Sequence, residues 1–176
     1  MCPMLFKENI SLSQYSNYKI GGGARQFCNP KSVDGIAKAV ANAKKDELPI
    51  FILGGGTNLL ISDTGFDGLV IKPEINLLNA TGDMVKVGAG VPMAELLNYS
   101  ISKGLSGLEW AGGLPGTVGG AIRGNAGAFA GEIKDVVKEG VSLDISGKMP
   151  KAVRRTNKKC AFGYRNSIFK MRDGRE

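Results

Sequence analysis

The sequence predicts an α+β fold, and three patterns carry that prediction. Ser32 to Lys45 has helical periodicity, several short apolar runs read as separate strands, and glycine is gathered into two dense segments between them. Ser32 can cap the first helix, with Val33, Ile36, Ala37, Val40 and Ala41 at helical spacing along it. Ile50–Leu53 reads as a buried strand running into the first glycine segment, and Gly68–Lys72 as another. Met84–Val87 alternates as a half-buried strand does, and Pro92 opens a short helix from Met93 to Ser102. Leu105–Trp110 is irregular, and Pro115–Ile122 suits a short helix with its N-terminus turned to a phosphate. Val136–Asp144 reads as a strand, Ile145-Ser146-Gly147-Lys148 as a turn, and Ala152-Val153 as the returning partner. Hairpins and short helices join the strands, without a regular βαβ alternation.

Composition narrows the chemistry. The chain has 176 residues, 43% of them hydrophobic and 22% charged, which suits a globular core or two small lobes. No apolar run approaches the roughly 18 residues of a membrane span, and the Met1–Glu8 start is too short in apolar residues for a signal peptide. Cys2, Cys28 and Cys160 are too scattered for a disulfide framework or a metal knuckle, so a reducing cytoplasm and no metal are the expectation. There is no histidine, which excludes Ser-His-Asp catalysis and leaves carboxylate, Lys, Arg, Tyr, Ser, Cys or a cofactor to do the work. The net charge of +7 sits at one end: residues 148–176 hold ten basic side chains against Asp173 and Glu176. Such a segment can steer a polyanionic substrate, bind nucleic acid, or simply solvate a strand edge. It lacks the interleaved aromatics of a single-strand binder, so no nucleic-acid partner is expected.

The 26 glycines, about twice the usual ~7% share, cluster at Leu53-Gly54-Gly55-Gly56-Thr57-Asn58-Leu59-Leu60 and at Gly112 to Ala128. Bare, tightly turning backbone of this kind presents N–H groups to a close anion. Two such loops suit a ligand with a long phosphate-bearing body, as a dinucleotide has; either loop alone also suits ordinary turns. The first lacks the Gly-Lys-Ser/Thr ending of a P-loop. It also fails the dinucleotide fingerprint, because Leu59 stands where the third glycine belongs, although Glu74 lies 20 residues after Gly54.

Four stretches, in order, resemble the UDP-N-acetylmuramate dehydrogenase (UDP-N-acetylenolpyruvoylglucosamine reductase) family. They are Asn17-Tyr18-Lys19-Ile20-Gly21-Gly22, Ile52–Leu60 continuing through Gly65–Ile71, Gly104–Gly127, and Cys160-Ala161-Phe162-Gly163-Tyr164-Arg165-Asn166-Ser167-Ile168-Phe169-Lys170. The resemblance implies an FAD-binding domain of the vanillyl-alcohol-oxidase / p-cresol-methylhydroxylase type over residues 1–176, in two α+β lobes of about 1–73 and about 74–176. It implies that NADPH reduces FAD, which in turn reduces UDP-N-acetylglucosamine enolpyruvate in peptidoglycan precursor synthesis. Cofactor contacts then fall at Leu53, Gly54, Gly55, Gly56, Thr57, Asn58 and Leu59, and at Gly112, Pro115, Gly116, Thr117, Gly119, Gly120, Asn125 and Gly127. Relatives continue into a substrate-binding domain carrying a serine proton donor and a glutamate. That domain is expected to be missing here or supplied separately, with little activity from this chain alone. The alternative is a non-catalytic FAD- or nucleotide-binding module.

Hydride addition to the enolpyruvyl double bond drives charge towards its carboxylate, and a fixed cation nearby would stabilise it. Arg165 matches the family's catalytic arginine, and its always-charged fork suits a carboxylate; the alternative is a surface arginine in a basic strand. Tyr164 either shapes the substrate pocket beside Arg165 or packs as a core aromatic with a wet hydroxyl. Asn58 and Asn125 offer amides to phosphate or flavin, or else form αL turns. Ser167 is expected to be structural, Trp110 and Phe129 to pack, and Cys160 to behave as a small buried hydrophobe. Thr57 stands where the family often has serine. Ala130 stands where it often has glycine, and is strained if its φ is positive.

Overall fold

The computed structural model describes residues 6–147 and 149–172. The Met1–Leu5 start with Cys2, Lys148 of the expected turn, and Asp173, Arg175 and Glu176 of the basic segment lie outside the described residues. The chain divides into two compact units between Ile75 and Asn76.

The first unit is built on β1 (Lys7–Ser11), β2 (Gly23–Cys28), helix α1 (Val33–Lys45), β3 (Ile50–Ile52) and β4 (Phe66–Ile71). Their sheet order is β1-β2-β4-β3, with β1 antiparallel to β2 and both β2 and β3 parallel to β4. The β2–α1–β3 connection is therefore a crossover, made by the helix expected over Ser32–Lys45. Parallel neighbours require it, because a tight turn can only reverse the chain. Ser32 caps α1 by accepting from the Gly35 N–H, as expected. The buried stripe of α1 runs through Ala39, Val40 and Ala43, while Val33 is 47% exposed. Alanine on both sides of the helix hides this rotation from the sequence. The unit's core gathers Leu12, Ala24, Phe27, Leu53 and Val70, with Tyr15 stacked on Phe27 at 4.7 Å.

Among its described residues the second unit carries three antiparallel hairpins, β5 (Leu78–Thr81) with β6 (Met84–Val87), β7 (Gly127–Ala128) with β8 (Gly131–Glu132), and β9 (Glu139–Asp144) with β10 (Lys151–Thr156). Helices α2 (Met93–Ser102) and α3 (Val118–Gly124) and the single turn α4 (Ile168–Met171) complete it. Pro92 is the N-cap of α2, one position before its first turn. Val91, Met93, Leu96, Ala111, Val118, Ala121 and Ile133 form the core, with Trp110 packed against them. Trp110 thus packs as expected, whereas Phe129 is 86% exposed because its αL backbone (φ +47°) turns it away from the core. Strand β9 begins three residues later than expected, at Glu139, because the N–H groups of Val136 and Val137 turn back to Ile133 O after a 3₁₀ turn at 133–135 with a Glu132/Asp135 capping box. Among the described residues no helix is long and apolar enough to cross a membrane.

The described part of the basic segment is folded. Arg154 pairs with Glu139, Arg155 donates to Ser142 Oγ at 2.7 Å, and Arg172 lies 3.6 Å from Asp144. Strand pairing between β9 and β10 brings the first two pairs together, and Arg172 reaches β9 from the end of α4.

Candidate functional site

The first glycine loop leaves the sheet after β3. Leu53 is buried and its N–H donates to Ile71 O at 2.8 Å, which fixes the loop's root in the core. Asn17 N–H donates to Gly56 O at 3.2 Å and Ser16 Oγ to Leu59 O at 3.3 Å, which ties the loop to the preceding segment. Gly56 is a forced glycine: its φ is +66°, and a Cβ there would stand 1.7 Å from Tyr15 O. Between these anchors, no acceptor among the described residues takes the N–H groups of Gly54, Gly55, Gly56, Thr57 or Asn58. Gly55 and Asn58 are exposed, and Gly54 and Thr57 half-buried. Five consecutive free amides are rare in ordered backbone unless something outside the chain takes them.

The second segment behaves differently. Thr117 caps α3, accepting from the Gly120 N–H through Oγ1. Val118 N–H donates to Val91 O at 2.9 Å and Gly119 N–H to Ala89 O at 3.0 Å. These amides of the helix N-terminus are therefore spent inside the chain, not turned to a phosphate as expected. Just before them, no acceptor among the described residues takes the N–H groups of Gly113, Gly116 and Thr117, and Gly112 and Pro115 are exposed beside them.

Asn125 also departs from a cofactor contact. It ends α3 in αL geometry (φ +43°) and is 0% exposed. Its Nδ2 donates to Glu132 Oε2 at 3.2 Å and to Gly163 O at 2.9 Å, and its Oδ1 accepts from Lys134 N–H at 3.0 Å. Both amide protons are consumed, so the side chain has none left for a ligand.

Beyond α3 a cleft of about 460 Å³ opens between two walls. One wall is the β7–β8 hairpin, Gly127 to Glu132, with Lys134 and Asp135; the other is Tyr164 and Arg165. Tyr164 and Arg165 occupy the tip of a tight turn closed by reciprocal Gly163 and Asn166 hydrogen bonds of 3.0 and 3.1 Å. Arg165 is exposed with φ +51°, its guanidinium 5.9 Å from the Tyr164 ring, and no carboxylate among the described residues is within ion-pair distance. Tyr164, 86% exposed, belongs to the cleft rather than to the core. The hydrogen bond from Lys134 holds the Glu132 carboxyl below the usual range, and the charge of Arg165 adds to this. Ser167 is structural as expected, donating from Oγ to Arg123 O at 2.7 Å. Cys160 is fully buried, and burial raises its thiol pKa. Glu132, Lys134 and Asp135 are not among the residues expected at the site; their polar cluster after the glycine segment is the signal in the sequence.

A family model described as an FAD binding domain matches residues 24–152. The chain belongs to the FAD binding domain family. Relatives named UDP-N-acetylenolpyruvoylglucosamine reductase include one from Clostridium novyi (strain NT), 36% identical over 93% of this chain and 52% of its own length. Another, from Solibacter usitatus (strain Ellin6076), is 39% identical over 90% and 50%. The chain thus spans about half the length of these curated relatives. Among solved structures it is similar to UDP-N-acetylenolpyruvylglucosamine reductase from Thermus caldophilus (TM-score 0.74, 29% identity, 93% of this chain and 57% of that one). A 6-hydroxy-D-nicotine oxidase from Arthrobacter nicotinovorans shares the fold at 16% identity (TM-score 0.68, 90% and 37% covered). The FAD binding domain here has the vanillyl-alcohol-oxidase / p-cresol-methylhydroxylase fold, and FAD is its cofactor. The free amides of 54–58 fit such a group, because a pyrophosphate takes the N–H groups that the chain leaves open.

Proposed function

We propose that this chain is the FAD-binding part of a UDP-N-acetylenolpyruvoylglucosamine reductase, reducing UDP-N-acetylglucosamine enolpyruvate to UDP-N-acetylmuramate with NADPH. The observation that carries the reading is Arg165, a cation without an ion-pair partner among the described residues, on a tight turn at a cleft. Gly54 to Asn58, with Leu53 and Leu59 as anchors, and Gly112, Gly116 and Thr117, with Pro115, Gly119, Gly120 and Gly127 shaping the backbone, would hold FAD. When bound, FAD supplies hydride transfer between NADPH and the substrate. Arg165 forks onto the enolpyruvyl carboxylate and meets the charge that grows there, a term worth several kcal/mol when water is excluded. Tyr164 flanks that carboxylate and limits how it can sit. No residue of this chain is assigned the proton donor. A substrate-binding portion, joined or separate, supplies it and completes the site.

Two measurements test this. Purified protein should carry, or take up, FAD with flavin bands between 300 and 550 nm; protein that remains colourless after FAD addition sinks the proposal. Arg165→Ala should then keep FAD binding while lowering enolpyruvyl-dependent NADPH oxidation, in enzyme completed by a substrate-binding portion, by at least about 10²-fold. Equal loss of FAD binding would make Arg165 a structural residue.

A further inference from the structure

Asn125 is more heavily engaged than a helix cap requires. An αL residue ending a helix needs no tertiary partner, yet this one is 0% exposed and bonds across sequence separations of 7, 9 and 38 residues. Its partners lie on opposite walls of the cleft. Glu132 and Lys134 belong to the β7–β8 side, and Gly163 begins the turn that carries Tyr164 and Arg165. We propose that Asn125 is a positioning residue: it locks the two walls together and keeps Glu132 from reaching Arg165, so that the guanidinium stays free for a carboxylate ligand. The inference rests on the reading of Arg165 given above.

The need for such a lock is visible in the backbone. Phe129 (φ +47°), Ala130 (φ +67°) and Arg165 (φ +51°) all line this cleft with non-glycine residues in the left-handed region. Such conformations are strained and persist only where their surroundings over-determine them. The Tyr164–Arg165 turn is held at three points: Gly163 O by Asn125, Arg165 O by Lys170 Nζ at 3.0 Å, and Ser167 Oγ on Arg123 O. Lys170 is exposed, so the two buried ties to the end of α3 carry the constraint. Glu132 lines the same cleft as Arg165 and is opposite in charge, so a released carboxylate would pair with the guanidinium. Asn125 Nδ2 and the Lys134 ammonium engage Glu132 instead.

Asn125→Gly separates lock from cap, because glycine accepts the αL backbone freely while losing the amide. On the full chain, heteronuclear ¹H–¹⁵N NOEs should fall at Tyr164, Arg165 and Asn166, with the helices still formed. With the site completed by a substrate-binding portion, affinity for UDP-N-acetylglucosamine enolpyruvate, followed at the Arg165 Nε–H resonance, should drop about tenfold. Adding Glu132→Gln to that variant should recover part of the affinity, which loss of packing would not do. An unchanged NOE profile, or a loosened turn with undiminished affinity, overturns the proposal. A loosened turn in a chain whose wild type never binds the probe leaves the lock standing and removes the carboxylate reading of Arg165. Should the variant not fold, side-chain amide exchange in the wild type decides: the Asn125 Nδ2 protons must exchange far more slowly than those of exposed Asn58, and equal rates refute the lock.

Discussion

In the 53–59 loop, glycine leaves backbone amides bare and one glycine, Gly56, takes the left-handed turn that the loop needs. In the 112–132 segment, α3 spends its first amides on neighbouring carbonyls, and beside Gly113 and Gly116 three non-glycine residues, Asn125, Phe129 and Ala130, take left-handed positions. Gly119 is packed so closely that a Cβ would stand 2.9 Å from the Ala89 Cβ, and Gly131 lies under the Trp110 ring, 2.3 Å from where its Cβ would be. Similar glycine density thus goes with bare backbone amides at 54–58 and at Gly113, Gly116 and Thr117, and with close internal packing at Gly56, Gly119 and Gly131. Composition alone cannot separate the two, because both require the absence of a side chain.

The largest effect expected from this contrast is at Gly56. Gly56→Ala combines a left-handed penalty of roughly 1–2 kcal/mol with a clash against the Tyr15 carbonyl that forces the backbone to move. A loss of about 3 kcal/mol or more is expected in urea unfolding of the first unit. Gly55, one position earlier, is exposed and outside the left-handed region. Gly55→Val should therefore change stability by no more than about 0.5 kcal/mol while sharply reducing FAD uptake. If Gly55→Val holds FAD as the wild type does, the free amides of this loop are not its cofactor contact.

Within α3 the contrast can be sharpened at adjacent positions. Gly119→Ala gains up to about 1 kcal/mol of helix propensity but overpacks against Ala89, and a net loss of about 1 kcal/mol is expected. At Gly120 the added Cβ meets only Thr117 Oγ1 at 3.6 Å, an ordinary contact. Gly120→Ala should stabilise by about 0.5 kcal/mol. Opposite signs in paired thermal melts confirm the packing account; two stabilising substitutions would break it.

Much of the second unit was legible because its signals are local. Pro92 and the apolar spacing behind it mark α2, and the Asp144–Gly147 stretch announces the β9–β10 hairpin, where Ser146 N–H and Oγ both bond Asp144 Oδ1. The first unit's parallel pairing was not legible, since Gln26 and Leu69 meet across a crossover that no short window contains. At the site, the Tyr164–Arg165 pair was visible through family resemblance and the bare 53–59 loop through composition. What remained hidden was Asn125's burial. An asparagine after a glycine-rich helix looks the same whether its amide faces a ligand or its own chain, and only the distant Gly163 carbonyl decides. Phe129 was misread for a related reason: aromatic character argues for packing, while the αL backbone that exposes it leaves no mark in the sequence.

Ala130 offers the smallest effect and the cleanest reading of strain. Its φ of +67° is the case in which alanine is worse than the glycine common at this place in the resembling family. Alanine in that region costs roughly 1–2 kcal/mol, of which glycine's greater freedom in the unfolded chain takes back about 0.5–1. Ala130→Gly should thus stabilise the chain by about 0.5 kcal/mol, read as a small rise in the melting temperature of the second unit. Its methyl group is exposed, so no packing is lost to confuse the sign. A destabilised variant would mean that the 129–130 turn is not left-handed in solution. The contrast between the two regions would then lose its second half, because the strain attributed to the cleft would no longer be stored in this hairpin.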